Sequence, residues 1–329
     1  EPIPAGPFML DISANAGIQH DGNIFFSAED ETSDQFATLG VRTDAIWESD
    51  RLRLDLDGSV ANRTYFDNSD LNRTDYDAGG RVLYRLSDVD SFSVGASRAR
   101  LTESFTDINS PMLSRELTQY SVTGYELAYT RETHPVGLRT TLAHRRSDYD
   151  DIDLAGGGTI FQDYRDNEHT SGTVEVVWQR PENIALSILA GADFYSFNST
   201  PGVIDRSNQS QSLLLGVSTG RDRIVSMEVY GGWEHTVYDS PMLEDNDGFR
   251  FEGEAVYRPT RLTDVTFSAI HRRRPATLPT ESGVDVTDIG VRIDHEIRPN
   301  WIVSAEASGQ NYDFTDTDRR DKGYDVSVG

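Results

Sequence analysis

Arg53, Asp55 and Asp57 alternate with Leu52, Leu54 and Leu56, and this spacing returns along the chain. Arg81 and Arg85 flank Val82 and Tyr84; Glu228 falls between Met227 and Val229; Arg292 and Asp294 alternate with Val291 and Ile293. In a strand, such alternation sends charge to one face and apolar side chains to the other. Facing water, the charged set would act on ions and polar solutes, because rings of charged side chains bias what passes through a channel. Arginine suits this role: its planar fork pairs with carboxylates and stays protonated. The candidate channel-lining residues are Arg53, Asp55, Asp57, Arg63, Arg81, Arg85, Arg139, Glu228, Glu252, Glu254, Arg292 and Asp294. The competing reading is a lattice of ion pairs that stiffens a wall and blocks passage.

A second basic set falls near strand ends: Arg98, Arg100, Arg145, Arg146, Arg272, Arg273 and Arg274. It reads as a basic collar at an outer mouth, able to guide an anionic sugar polymer or hold lipopolysaccharide phosphates. The plainer reading is that strand-end arginines anchor the wall to lipid headgroups.

Catalytic signals are poor. Gly216-Val217-Ser218-Thr219-Gly220 spells G-x-S-x-G, but a nucleophile elbow needs a strand-to-helix turn, and a strand and hairpin turn surround this string. The seven histidines show no H-E-x-x-H or paired ligand spacing. A hydrolase on a lipid-facing wall would need Ser and His on neighbouring strands; His144 and His271 are candidates for which the sequence selects no partner. The acidic runs at Glu29 to Glu31, Asp148 to Asp153, Glu244 to Asp247 and Asp313 to Asp318 do not keep EF-hand spacing, and read as solvated loops. The chain has no cysteine, which excludes disulfides and thiolate metal sites. No catalytic residue, cofactor or metal site is assigned.

Positioning these residues takes many strands. Period-two segments cover 8–18, 36–47, 51–66, 74–86, 91–102, 117–130, 136–147, 169–179, 183–197, 209–219, 223–238, 248–258, 262–273, 286–298, 301–312 and a last one from 322. No segment carries a helical apolar stripe over three turns. Tight turns alternate with longer polar connections throughout. Antiparallel strands place every second connection at the same end, and outer-membrane barrels keep tight turns on the periplasmic side and long loops outside. The first connection is long, so the amino terminus, with residues 1–7, is expected in the periplasm. Membrane strands need ~9–11 residues, and these segments are that long or longer. Trp47, Tyr65, Phe66, Tyr84, Tyr129, Trp178, Phe194, Tyr238, Tyr257 and Trp301 fall near strand ends, where interfacial girdles occur. An open edge cannot face hydrocarbon, so the strands must close. The expected fold is all-β: one transmembrane antiparallel up-and-down β-barrel domain over residues 1–329, of at least 16 strands, with its last strand cut short or completed by a partner.

Composition agrees. The chain has 329 residues, of which only 36% are hydrophobic, and a formal charge of −25. Soluble domains usually carry roughly 45–50% apolar residues. No run of ~18 or more apolar residues supports a membrane helix, and the acidic balance argues against nucleic acid as a partner.

Gly17-Ile18-Gln19-His20-Asp21-Gly22-Asn23-Ile24-Phe25 followed by Ser33-Asp34 resembles the opening of the putative β-barrel porin type 2 family. Arg51-Leu52-Arg53-Leu54, Asn62-Arg63-Thr64-Tyr65, Asp75-Tyr76 and Tyr84-Arg85-Leu86-Ser87 are similar to its following block. The likeness is clearest over about residues 8–105 and continues as hairpin rhythm. It implies an outer-membrane pore, often associated with exopolysaccharide loci, and supplies no catalytic residues.

The expected function is therefore a non-enzymatic, porin-like channel in a Gram-negative outer membrane, for passive passage of polar solutes or export of a polysaccharide. Its expected partners are outer-membrane lipids, lipopolysaccharide and an anionic polysaccharide or export assembly. The alternatives are a structural barrel that scaffolds a surface assembly, with acidic loops as its docking face, and an outer-membrane hydrolase.

Overall fold

The computed structural model describes all residues except 1–2, 26–30, 104–115, 154–156, 181–183, 221–222, 276–282, 300 and 316. Among these the secondary structure is strands and two single 3-10 turns. No helix is long and apolar enough to cross a membrane, which has no bearing on strands. In chain order the strands are β1 Ile3–Ala5, β2 Phe8–Asp21, β3 Asp34–Glu48, β4 Leu52–Tyr65, β5 Arg73–Arg85, β6 Asp90–Thr102, β7 Gln119–Arg131, β8 Val136–Tyr149, β9 Ile152–Asp153, β10 Thr159–Ile160, β11 Asn167–Arg180, β12 Ile184–Phe197, β13 Asn208–Thr219, β14 Val225–Tyr238, β15 Asn246–Thr260, β16 Thr263–Pro275, β17 Gly283–Arg298, β18 Trp301–Phe314 and β19 Arg320–Val328. Three of the nineteen, β1, β9 and β10, have two or three residues, which leaves sixteen long strands at the positions the alternation marks. Their ends lie within about three residues of the expected ones. The short strands were not expected: β1 folds back on β2 with Ile3 opposite Leu10, and β9 pairs with β10 inside a long connection.

The chain divides into two compact units. The first comprises Glu1–Tyr129, Thr141–Thr170 and Ser196–Pro201. Here β2 to β6 form an unbroken antiparallel ladder in chain order. A small apolar core of Ile24, Phe36, Tyr65 and Leu71, with Phe25 and Leu117 against it, sits at the long-connection end. The Phe36 and Tyr65 rings are 5.0 Å apart, and the Arg63 guanidinium lies 4.5 Å over Phe36.

The second unit comprises Thr130–Thr140, Ser171–Tyr195 and Gly202–Gly329. Its ladder runs from β12 to β19, each strand antiparallel to the next. Strand β13 shows most plainly how the sequence builds the faces. Asn208, Ser210, Ser212, Leu214 and Gly216 are buried, while Gln209, Gln211, Leu213 and Leu215 between them are exposed. Ser210 and Ser212 are thus covered, Leu214 alone among the leucines of this strand is buried, and Leu213 and Leu215 are uncovered. Ile188, Trp233, Phe249, Phe267 and Ile289 repeat this on neighbouring strands. An exposed apolar band of this kind needs a non-aqueous solvent around it.

Candidate functional site: the polar face

Cross-strand partners share a face, so the register assigns the side chains of β2 to β6 and of β12 to β19. In the first unit Asp55 stands opposite Arg81, Arg63 opposite Arg73, and Arg53 opposite Glu48. Arg53, Asp55, Asp57, Arg63, Arg81 and Arg85 therefore share one face, and Leu54, Leu56, Val60, Val82 and Tyr84 share the other. Most of these charges are held. Arg53 donates to Asp55 at 2.8 Å, Arg85 to Glu48 at 2.8 Å, Arg42 to Asp44 at 3.1 Å, and Arg81 pairs with Glu126 on β7.

In the second unit Glu228 is opposite Glu254, Tyr230 opposite Glu252, and Arg292 opposite Glu306. Arg139, Glu228, Glu252 and Glu254 border a recess of about 510 Å³ together with Tyr230, Ser218 and Ser226. Behind it lies Glu175, whose side chain is 8% exposed. Arg139 donates to it at 3.2 Å, and the Tyr230 hydroxyl lies 2.8 Å from Glu175 and 2.9 Å from Glu228. One phenolic proton serves one carboxylate at a time, so Tyr230 donates to either Glu175 or Glu228. Gly216 makes room for this tyrosine: a Cβ there would stand 2.5 Å from the Tyr230 ring. Arg292 donates to Asp294 at 2.8 Å and Glu306 at 3.4 Å. The structure thus brings all twelve candidate channel residues onto the polar faces of their units.

The second arginine set does not form one collar. On β6, Tyr76 of β5 faces Arg100 and Ala78 faces Arg98, which puts both arginines on the apolar face with Val94. Arg98 reaches Thr123 at 3.5 Å; Arg100 donates to Gln119 at 3.0 Å and pairs with Asp150. Arg146 also shares the exposed face, 3.9 Å from Glu168, whereas Arg145 points the other way by alternation. Arg272 and Arg274 stand opposite Val286 and Val284, and Arg273 between them donates to Asp285 at 2.8 Å. Adjacent residues on a strand point oppositely, so Arg146 parts from Arg145, and Arg273 from Arg272 and Arg274, which share the polar face.

The aromatic set also divides. Tyr84, Trp178, Phe194, Tyr257 and Trp301 are exposed on the apolar face, but Tyr65 and Tyr238 are buried on the opposite one. Their alternation places them there, and Tyr65 is covered by the core under the long connections. Ser218 of the G-x-S-x-G string sits opposite Glu228, and the chain goes on to another strand. His144 and His271 bond Thr170 at 2.9 Å and Thr287 at 2.8 Å, not a serine.

Sequence reasoning missed a buried ion pair at the long-connection end of the first unit. Arg165 donates to Glu103 at 2.6 Å and Gln162 at 2.7 Å, with side chains 1% and 7% exposed for the pair, and its guanidinium lies 4.2 Å over the Tyr149 ring. Neither residue belongs to a period-two segment, so no local signal marks them. The acidic connection is partly spent on its own backbone: Asp151 accepts the Gln162 N–H at 2.9 Å and Asp166 the Tyr149 N–H at 2.7 Å. Burial lifts the Asp166 carboxyl above its ordinary range, against the pull of that N–H. Glu29 and Asp30 lie outside the described residues.

The family model described as putative beta-barrel porin 2 matches residues 2–329. The chain belongs to that family. No curated protein matches the sequence. Among solved structures, the chain is similar to a mutant ferric enterobactin receptor of Pseudomonas aeruginosa, with 10% identity, a TM-score of 0.52, and coverage of 92% of this chain and 52% of the receptor. It is also similar to the siderophore receptor PirA of Acinetobacter baumannii, with 8% identity, a TM-score of 0.51, and coverage of 95% and 57%. The porin 2 chain thus spans about half the length of these receptors, and at such identity the likeness shows the fold alone. With the family and the exposed apolar band, this makes the protein an outer-membrane β-barrel.

Proposed function

We propose that this porin 2 family protein is a non-enzymatic, water-filled channel for passive passage of polar solutes, lined by the polar face of its strands. The observation that carries the reading is the sorting of faces. All twelve candidate residues share the polar face of their unit, and the opposite face exposes aliphatic and aromatic side chains. Hydroxyls such as Ser210 and Thr236 add neutral hydrogen-bonding groups to the polar face. Export of a polysaccharide is the other passage that such a polar surface would suit. Arg98 and Arg146, exposed on the apolar face, would meet lipid phosphates at the headgroup level, with the long connections outside and the amino terminus periplasmic. Purified protein in a planar lipid bilayer tests the channel: discrete conductance steps are expected, and a silent membrane containing folded protein would refute it.

A further inference from the structure

We infer that the passage prefers cations, and that Asp11, Asp57, Glu228 and Glu254 set this preference. The inference rests on the channel reading above and adds the class of solute. In the first unit Asp11 stands opposite Asp44, and Asp44 opposite Asp57, so three carboxylates form one rung across β2, β3 and β4. Arg42 forms its ion pair with Asp44, and its charge also reaches Asp57 and Asp77 without a direct contact. Asp11 and Asp57 have no ion pair among the described residues, and both are exposed. Opposite Asp57 on β5 is Gly79, where a Cβ would meet the carboxylate at 2.9 Å, so nothing on that side covers the charge. The second unit carries a similar rung. Glu228 faces Glu254 directly, both exposed, with Glu252 two residues along the same face. Neither Glu228 nor Glu254 has a guanidinium partner among the described residues, while the arginines nearby are engaged: Arg139 with Glu175, and Arg258 with Asp264.

Like charges directly opposite one another destabilise a sheet. Mobile cations beside the rung relieve that repulsion, and rings of carboxylates select cations in this way. Both rungs lie in the halves of their strands toward the tight turns. Among the described residues, the polar-face arginines without a carboxylate partner, Arg63, Arg73 and Arg145 in the first unit and Arg272 and Arg274 in the second, all lie toward the long connections. A cationic solute therefore meets a favourable potential along the tight-turn half, a neutral one passes without this gain, and a polyanion meets repulsion there. This runs against the anionic polysaccharide expected from the arginine-rich strand ends.

The test is the reversal potential of single channels in a potassium chloride gradient at low ionic strength, for the parent protein and the variant D11N/D57N/E228Q/E254Q. The parent should favour potassium over chloride. The variant should lower the permeability ratio about twofold or more at ~0.01 M salt, where the Debye length is ~30 Å, with much less difference at ~1 M. The variant's conductance steps show that it has folded and inserted. Chloride preference in the parent, or an unchanged ratio in a conducting variant, overturns the inference and leaves the channel standing. Absence of steps in the parent removes the channel itself.

Discussion

Leu213→Arg separates a lipid-facing wall from a water-facing one. Leu213 is 58% exposed and lies six residues into β13, between Ala190 and Trp233 on the neighbouring strands. In water, replacing a side chain already this open would change stability by no more than about 0.5 kcal/mol. At the midplane of a bilayer, arginine on the outer wall of a barrel costs about 2–4 kcal/mol. At ~1.4 kcal/mol per tenfold, that is roughly 30- to 700-fold in the folding equilibrium. Gln209→Arg is the internal control. Gln209 shares the exposed face four residues away, about 13 Å along the strand at ~3.3 Å per residue, or about 9 Å along the normal at ~45° tilt. The apolar band is ~25 Å tall, so this position nears the interface, where the cost falls to about 0–1 kcal/mol. The assay is reversible urea unfolding from phospholipid vesicles, followed by tryptophan emission. Equal costs at the two positions, or a Leu213→Arg change under about 0.5 kcal/mol, would refute the lipid-facing assignment.

Other expectations follow from particular contacts. Arg165→Ala should strand Glu103 in a buried site at a cost of about 3–5 kcal/mol, read as a lower thermal midpoint and faster protease cleavage of the 150–166 connection. Gly216→Val should drive a side chain into the Tyr230 ring and cost about 1–3 kcal/mol by overpacking, seen as a lower denaturant midpoint with an unchanged slope. Asp166, whose carboxyl is raised by burial, binds its proton more tightly folded than unfolded. Its stabilisation is therefore complete below the ordinary carboxylate value and is lost as pH rises through the raised one. Asp166→Asn, which keeps an acceptor for Tyr149, should flatten that acid-range decline in thermal midpoint; an identical profile would dismiss the assignment. Trp233 and Trp301, 55% and 72% exposed, should be quenched by brominated lipid tails more strongly than by aqueous acrylamide, and the reverse order would contradict their placement.

Alternation along the chain was enough to place the sixteen long strands, the order of tight and long connections, and the face of each of the twelve candidate residues. These are local properties. Successive strand residues point oppositely, so Arg53 and Leu54 declare their faces wherever the strand comes to lie. The same rule, applied strictly, would have divided Arg145 from Arg146 and Tyr65 from Phe66; grouping them by nearness to a strand end ignored it. What the tertiary structure alone decided is non-local. Asp44 meets both Asp11 and Asp57 only once β2, β3 and β4 adopt their register. Glu175 is covered because Arg139 and Tyr230 reach it from other strands. Arg165 finds Glu103 across 62 residues of chain. Polarity at each position depends on the solvent that position meets, which the sequence records residue by residue. Register and contact depend on how strands are paired, and one step of slippage would have altered every rung without changing a residue.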